Sequence, residues 1–269
     1  MKLSISTLGC PEWSFDKIVS QFSSLGVQGI EVRGIGGIMN FADIPELCED
    51  NIENTLKILK DKNLEFICFG SSASFHDIEK QARGIEEAKQ TVDAAQRAGV
   101  PYIRVFGHNV DRENEAQSIS NIIVGIRQVC EYAKGRGVCV NLEIHGDVNT
   151  PKRLAQVIDG LKDFDNFGII WDVCHTFSSC GNSIDEIYGV IAPYVRHVHL
   201  KDAVKENGSV VIRTLGEGDI DIKQIVKRLL DDGYDGYFSF EHEKKWHKEL
   251  PEPEIEFPKF VEYVKKLNL

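Results

Sequence analysis

No run of apolar residues in this chain approaches the roughly 18–20 that a membrane-crossing helix needs. The N-terminus, Met1 to Gly9, is too short and too alternating for a secretory leader, so the expectation is a cytoplasmic protein. Cysteine pairs at metal-binding spacing are also missing. The seven cysteines (Cys10, Cys48, Cys68, Cys130, Cys139, Cys174 and Cys180) are odd in number and form no Cys-x-x-Cys. Several lie in apolar, strand-like runs, which fits buried thiols in a reducing compartment better than disulfides or a zinc–thiolate cluster. Basic charge is scarce: 31 Lys and Arg stand against 42 Asp and Glu, a formal net charge of −11. An acidic surface repels phosphate backbones and anionic lipid, so neither nucleic acid nor membrane is an expected partner. No Pro/Gly/Ser-rich linker is long enough to separate domains, so the 269 residues read as one domain, 1–269.

What is present is alternation. Short apolar runs at Leu3–Thr7, Gly29–Arg33, Leu64–Phe69, Tyr102–Phe106, Val138–Glu143, Phe167–Asp172, Val195–Leu200 and Gly236–Glu241 read as eight strands. Between them lie segments with helical periodicity: Ser14 to Leu25, Pro45 to Lys62, Ile78 to Ala98, Glu113 to Lys134, Thr150 to Leu161, Ser183 to Ile191, Ile222 to Asp232 and Glu256 to Leu267. A small-residue loop is expected at Gly70–Ser74 and a longer one from Lys201 to Asp221. Strict strand–helix alternation means a parallel sheet, and eight units in a chain of this length predict an α/β fold, a closed (β/α)₈ TIM barrel. An open doubly wound sheet would need a glycine-rich phosphate turn opening a helix, and Gly34-Ile-Gly36-Gly37 opens none.

The strands of the second half end in chemistry. The fifth ends Asn141-Leu-Glu143-Ile-His145, the sixth Trp171-Asp172-Val-Cys-His175, the seventh His197-Val-His199-Leu-Lys201-Asp202 and the eighth Phe240-Glu241-His242-Glu243. The period of two puts Glu143, Asp172, His199 and Glu241 in phase with Asn141, Ile170, His197 and Ser239, facing inward. Three carboxylates and an imidazole converging on a barrel mouth would repel if left bare, and a divalent cation is the usual solution. A mostly oxygen donor set favours Mn²⁺ or Mg²⁺, with Co²⁺ or Zn²⁺ open to it through the imidazole.

These motifs resemble those of the sugar-phosphate isomerase/epimerase-like group of xylose-isomerase-like barrels. The carriers are Glu143-x-His145-Gly, Asp172-x-x-His175, His199-Leu-Lys-Asp202, Gly216-Glu-Gly-Asp-Ile-Asp221 and Glu241 after Phe-Ser-Phe, and the likeness spans essentially the whole chain. The group includes ketose 3-epimerases, inosose isomerases and dehydratases, dehydroshikimate dehydratase, C-glycoside-cleaving subunits and apurinic-site endonucleases. The resemblance implies one divalent metal on Glu143, Asp172, His199 and Glu241, and a substrate contact from His175. The endonuclease branch needs an Asp-x-His after its seventh strand, and Asn207–Arg213 has none. The ketose 3-epimerase branch carries an Asn-Arg-Arg-like stretch where this chain has Lys201-Asp202-Ala, which leans towards the inosose/dehydratase-like branches.

Two enzymatic readings follow. The first is an isomerase or epimerase of a sugar or small polyhydroxy ketone, working through an enediolate with Glu143 and Glu241 exchanging the proton. The second is a lyase sharing that first half, with His145 or His175 protonating the leaving group. A non-catalytic sugar-binding barrel or subunit is a third, and a homo-oligomer or a partner subunit is open to any of the three. His145 serves equally well as catalytic group or as an orienter of Glu143. Expected substrate contacts are His175, Lys201, Glu31, Arg33, His108 and Arg213. Glu31 and Arg33 have an ion pair as their alternative role, and Lys201 and Arg213 have simple solvation. Trp13, Phe75 and Trp246 are candidate mouth covers, and Glu217 and Asp219 candidate helix caps.

Overall fold

A computed structural model describes residues 1–269. The strands are β1 (Lys2–Ser6), β2 (Gly29–Val32), β3 (Glu65–Ser74), β4 (Tyr102–Phe106), β5 (Cys139–Glu143), β6 (Phe167–Asp172) and β7 (Val195–Leu200). A two-stranded antiparallel hairpin follows, β8 (Asp202–Glu206) and β9 (Ser209–Arg213), and then β10 (Tyr237–Phe240). All but the hairpin pair in parallel and close into a barrel in the order β1-β10-β7-β6-β5-β4-β3-β2. This is the eight-stranded α/β barrel that the alternation predicts. The outer helices are α1 (Phe15–Leu25), α2 (Ile52–Asp61), α3 (Ile78–Ala98), α4 (Glu115–Ala133), α5 (Pro151–Asp159), α6 (Val173–Cys180), α7 (Asp185–Ile191), α8 (Ile222–Asp231) and α9 (Pro253–Lys266).

Local chemistry sets the helix ends. Ser14 Oγ caps α1 by accepting from Lys17 N–H, and Gly26 ends it in the left-handed region. Asp221, rather than Glu217 or Asp219, caps α8 by accepting from Gln224 N–H. Helix α8 then buries Ile222, Ile225, Val226 and Leu229, the spacing of a single apolar stripe. Stripes of this kind pack against the outside of the barrel and form a core cluster of 74 buried residues. No helix is long and apolar enough to cross a membrane.

Four sequence expectations shift. The expected loop from Lys201 to Asp221 contains the β8–β9 hairpin, whose turn is Asn207-Gly208 with φ of 50° and 82°, the Asn-Gly signature of a two-residue hairpin that the loop expectation did not use. Strand β3 runs to Ser74, through the expected loop, because Ser71 Oγ donates to Arg104 O (2.6 Å) and keeps the small-residue stretch against β4. The segment from Pro45 breaks into a short 3₁₀ turn, Pro45–Leu47, and α2. A ninth helix, α6, starts directly on Asp172 with no turn residues to announce it.

The barrel interior is not aliphatic. Register matches Arg104 with Asn141, Glu143 with Ile170, Ile170 with His197, Asp172 with His199, and His199 with Ser239. Matched positions in a parallel sheet share a face, so these side chains line the inside. Ser4, Glu31, Asn141, Asp172, His197, His199 and Ser239 have no solvent exposure at all. Buried polar groups at this density must satisfy one another, and that requirement shapes the site.

Candidate metal centre and active site

Asp172 divides its two oxygens. Oδ1 accepts from the backbone N–H groups of Cys174 (2.9 Å) and His175 (3.0 Å), which caps α6 and fixes the carboxylate. Oδ2 is left to face the barrel axis. There His199 Nδ1 lies 3.8 Å from it, 3.4 Å from Glu241 Oε2 and 3.2 Å from Glu143 Oε1. The four donor atoms of Glu143, Asp172, His199 and Glu241 fall within 4.8 Å of one another. Donors about 2.1 Å from one ion stand roughly 3.0 Å apart at octahedral cis positions and about 3.4 Å apart in a tetrahedron, so the set fits a single divalent cation. Glu143 Oε2 and Asp172 Oδ2 are buried without a well-directed hydrogen bond. Each has a cation beside it instead: Arg104 Nη1 at 3.2 Å and Lys201 Nζ at 2.6 Å.

Glu31 lies behind His199. The other ring nitrogen of His199, Nε2, is 3.0 Å from Glu31 Oε1 and 3.1 Å from Oε2. Glu31 Oε2 also contacts His197 Nε2 (2.8 Å) and accepts from Ser239 Oγ (2.7 Å). Burial alone would raise the Glu31 carboxyl, but His199 and His197 hold it well below the usual carboxylate range. Glu31, His197 and His199 form a second group of possible metal donors. His199 belongs to both groups: its Nε2 faces Glu31 and its Nδ1 faces Glu143, Asp172 and Glu241. Glu31, one of the expected substrate contacts, is fully buried and is not among the residues lining the cavity at the mouth.

Two buried cations complete the cluster. Arg104 Nη1 lies 2.9 Å from Glu241 Oε1 as well as beside Glu143. Lys201 Nζ lies 2.7 Å from Glu241 Oε2 and 2.7 Å from Glu243 Oε1. Lys201 is thus buried in the carboxylate cluster, not solvated on a loop. Burial opposes its charge, yet Asp172, Glu241 and Glu243 hold its ammonium well above the ordinary lysine range. Burial would likewise raise Glu241, but His199, Lys201 and Arg104 keep it ionised. Arg104 and Glu243 were not among the residues expected from sequence. A charged residue inside the apolar run Tyr102–Phe106, and a second acid two places after Glu241, are the signals that mark them.

A cavity of about 220 Å³ opens above the cluster. Its walls include Arg33, Ser72, Arg104, Phe106, His108 and His145, and Trp246 stands at its edge, 59% exposed. His145 packs against His175 with ring centroids 4.1 Å apart and against His108 at 5.2 Å. Burial pushes the His145 imidazole below the ordinary range, and its Nδ1 has no protein partner. Burial, with His145 and His76 nearby, takes His108 down to about 4. Burial thus favours the neutral imidazole at His145 and His108. Arg213, expected at the substrate, lies on β9, 2.5 Å from Glu206, and lines a separate surface hollow with His247 and Pro251. Trp13 and Phe75 do not cover the mouth either; Trp13 packs edge-on against Phe257 at 5.7 Å, and Phe75 has no exposure. His242 is structural, its Nε2 2.9 Å from Pro251 O.

A closed barrel with acids and imidazoles gathered at the carboxyl ends of its strands defines an α/β-barrel with a buried candidate metal site. The chain belongs to the xylose isomerase-like TIM barrel family, whose model matches residues 19–260. Solved structures agree on the fold. A probable 3-DHS dehydratase, AsbF, of petrobactin synthesis in Bacillus anthracis is 21% identical, with a TM-score of 0.76 over 99% of both chains. A D-psicose 3-epimerase from Clostridium cellulolyticum H10, solved with D-tagatose, is 16% identical, with a TM-score of 0.76 over 100% of this chain and 98% of its own. A xylose isomerase-like barrel from Mycobacterium smegmatis, solved with magnesium, is 19% identical, with a TM-score of 0.74 over 99% of this chain and 96% of its own.

Proposed function

We propose that this chain is a divalent-metal-dependent enzyme that moves a proton on carbon beside a carbonyl of a sugar or small polyhydroxy ketone. The observation that carries the reading is the convergence of Glu143, Asp172, Glu241 and His199 Nδ1 within 4.8 Å below an open cavity. These four residues would hold the ion, with Mn²⁺ the first choice for three hard oxygens and one imidazole. When bound, the ion supplies Lewis acidity towards the substrate carbonyl and its neighbouring hydroxyl.

The protein's own groups do the rest. Glu241, held as a carboxylate by His199, Lys201 and Arg104, is an acceptor for the C–H proton, and Glu143 across the cluster returns it. Phe106 and the histidine fence wall the cavity and limit water. The products of this exchange are those of an isomerase or epimerase. The family membership supports this class of chemistry, and the dehydratase and epimerase named above are relatives in fold.

A lyase outcome is the second reading, favoured by one specific contact. Lys201 holds a protonated ammonium against Asp172, Glu241 and Glu243. An ammonium there, near the His145–His175 pair, would stabilise the charge developing on a departing β-hydroxyl after the same first step, and the proton taken up by Glu241 would leave with it as water. Isotope exchange in deuterated water, followed alongside ultraviolet absorbance, separates the two. Metal-dependent C–H exchange with an isomeric product supports the first, and metal-dependent growth of an enone band supports the second. Turnover unchanged after removal of the metal contradicts both.

A further inference from the structure

Arg33 is the one cation at the mouth without an acid of its own. It follows β2 and is 6% exposed. Its Nη2 donates to Ser72 Oγ, and that is the only hydrogen bond its guanidinium makes. No carboxylate comes within 4.0 Å of it. Glu87, the acid that acts most strongly on it, accepts from Ser72 N–H (2.5 Å). The remaining N–H groups of Arg33 are not sealed in protein, in contrast to Arg104 Nε, and the side chain lines the cavity above the carboxylate cluster.

Its neighbour makes the arrangement costly. Arg33 and Arg104 flank Gly70, where a side-chain Cβ would meet Arg33 Cδ at 3.2 Å and Arg104 Cζ at 3.3 Å. The glycine lets two guanidinium groups approach from β2 and β4. Burial, and then the charge of Arg104, bring Arg33 down to about 10, so it stays charged at neutral pH but at an energetic cost. No acid in the pocket pairs with it directly: Glu143, Asp172, Glu241 and Glu243 are engaged by Arg104 and Lys201, and their influence on Arg33 is exerted only at a distance. Buried charges are normally paired, and an unpaired guanidinium facing a cavity is a fork awaiting a planar or tetrahedral anion.

We propose that the substrate of this site carries an anionic group, a carboxylate or a phosphate, that pairs with Arg33 while its carbonyl end lies at the carboxylate cluster. The proposal rests on the metal-dependent reading of the site and narrows its substrate to the acids among polyhydroxy ketones. Ser72 holds one N–H of Nη2, which leaves the second Nη2 N–H to act together with Nη1 or Nε as the two-pronged donor for the anion.

The test compares three ligands that differ only at C6: a 2-ketohexose, the corresponding ketohexuronate with a C6 carboxylate, and the ketose 6-phosphate. Each is titrated calorimetrically into the Mn²⁺-loaded full chain. At least one acid is expected to bind about tenfold or more tightly than the neutral ketose, and the better of the two identifies the anion. In Arg33→Met that preference is expected to vanish, and in Arg33→Lys, which keeps charge but loses the fork, to survive in part. Thermal melting establishes that each variant is folded. Equal affinity of all three ligands for the wild type, or failure of both acids to bind, overturns the proposal, and this needs no variant. An acid preference that persists in folded Arg33→Met also overturns it, because the anion then sits elsewhere. Isotope exchange with and without metal reports separately on the enzymatic reading, so an enzyme indifferent to substrate charge is distinguished from a barrel with no metal-dependent chemistry.

Discussion

The imidazole of His199 on β7 reaches across the barrel axis to Glu31 on β2, with Nε2 3.0 Å from the carboxylate, while its Nδ1 faces Glu143 at 3.2 Å. One histidine thus joins a buried orienting acid to a set of metal donors. The orientation of the ring, and with it the shape of the candidate metal centre, depends on an acid that does not line the cavity.

Glu31→Gln tests that dependence. The amide keeps the shape but removes the charge that fixes the His199 ring. Affinity for Mn²⁺ is expected to fall by about 10–100-fold, measured by competition with a chelating dye. Unchanged affinity would show that His199 needs no such partner.

Proton linkage gives a second test. Burial opposes charge on His199, but Glu241, Glu31 and Glu143 raise it well above the ordinary imidazole range. The metal-free protein therefore carries a protonated His199 at neutral pH, and an ion must displace that proton. With the folded value raised, the stabilisation is fully present below about pH 6.5 and lost as pH rises through the folded value. Calorimetry in buffers of different ionisation enthalpy is expected to show about one proton released per ion. Affinity should rise with pH until the folded value is passed. Binding without proton release would contradict this assignment.

Lys201→Met removes the ammonium that Asp172, Glu241 and Glu243 share. In metal-free protein, stability is expected to fall by about 3–5 kcal/mol, because buried carboxylates lose their counter-charge. Saturating Mn²⁺ is expected to restore part of the loss. Melting curves with chelator and with metal make the comparison, and identical curves for variant and wild type in chelator would contradict the role.

Asp202→Asn probes the loop behind the site. Oδ1 accepts from Ala203 N–H (2.9 Å) and Ile220 N–H (3.2 Å), and Oδ2 from Gly216 N–H (2.8 Å) and Gly218 N–H (3.0 Å). An amide offers one acceptor oxygen and turns donors on the other pair. A loss of about 2–4 kcal/mol is expected by denaturant titration, since two backbone donors are left unmatched.

Gly84→Ala connects packing to the mouth. A Cβ on α3 would lie 2.5 Å from the carbonyl oxygen of Ser74, at the end of β3. Helix propensity gains about 1 kcal/mol, but overpacking costs about 1–3 kcal/mol and pushes on the strand that carries Ser72. Net destabilisation is expected in thermal melting; a stabilised variant would show that β3 yields at no cost.

The barrel was legible because strand and helix periods differ and alternate eight times, each helix ending near a glycine or a cap. The four strand-end donors were legible because acids and imidazoles are costly at the end of a buried strand. Arg104 was harder to see: its meaning lies in pairing with Glu143 and Glu241, 39 and 137 positions away. Lys201 was legible as a site residue but not its surroundings: a lysine after a strand is usually solvated, and only the closed barrel buries it among acids at the cavity wall. Arg213 looked like a site residue while its segment read as a loop at the mouth, and the β8–β9 hairpin carries it to Glu206. The period of two also put Glu31 and Arg33 on one face, but could not tell that one lies below the His199 ring and the other above it.

The central claim is that Glu143, Asp172, His199 and Glu241 hold one divalent ion. Anomalous diffraction at the manganese edge, from crystals grown with Mn²⁺, tests it most directly. The expected result is a single strong peak about 2.1 Å from His199 Nδ1 and from one oxygen of each of the three carboxylates. No peak at that position, or a peak that remains there in Asp172→Ala crystals at full strength, would contradict it.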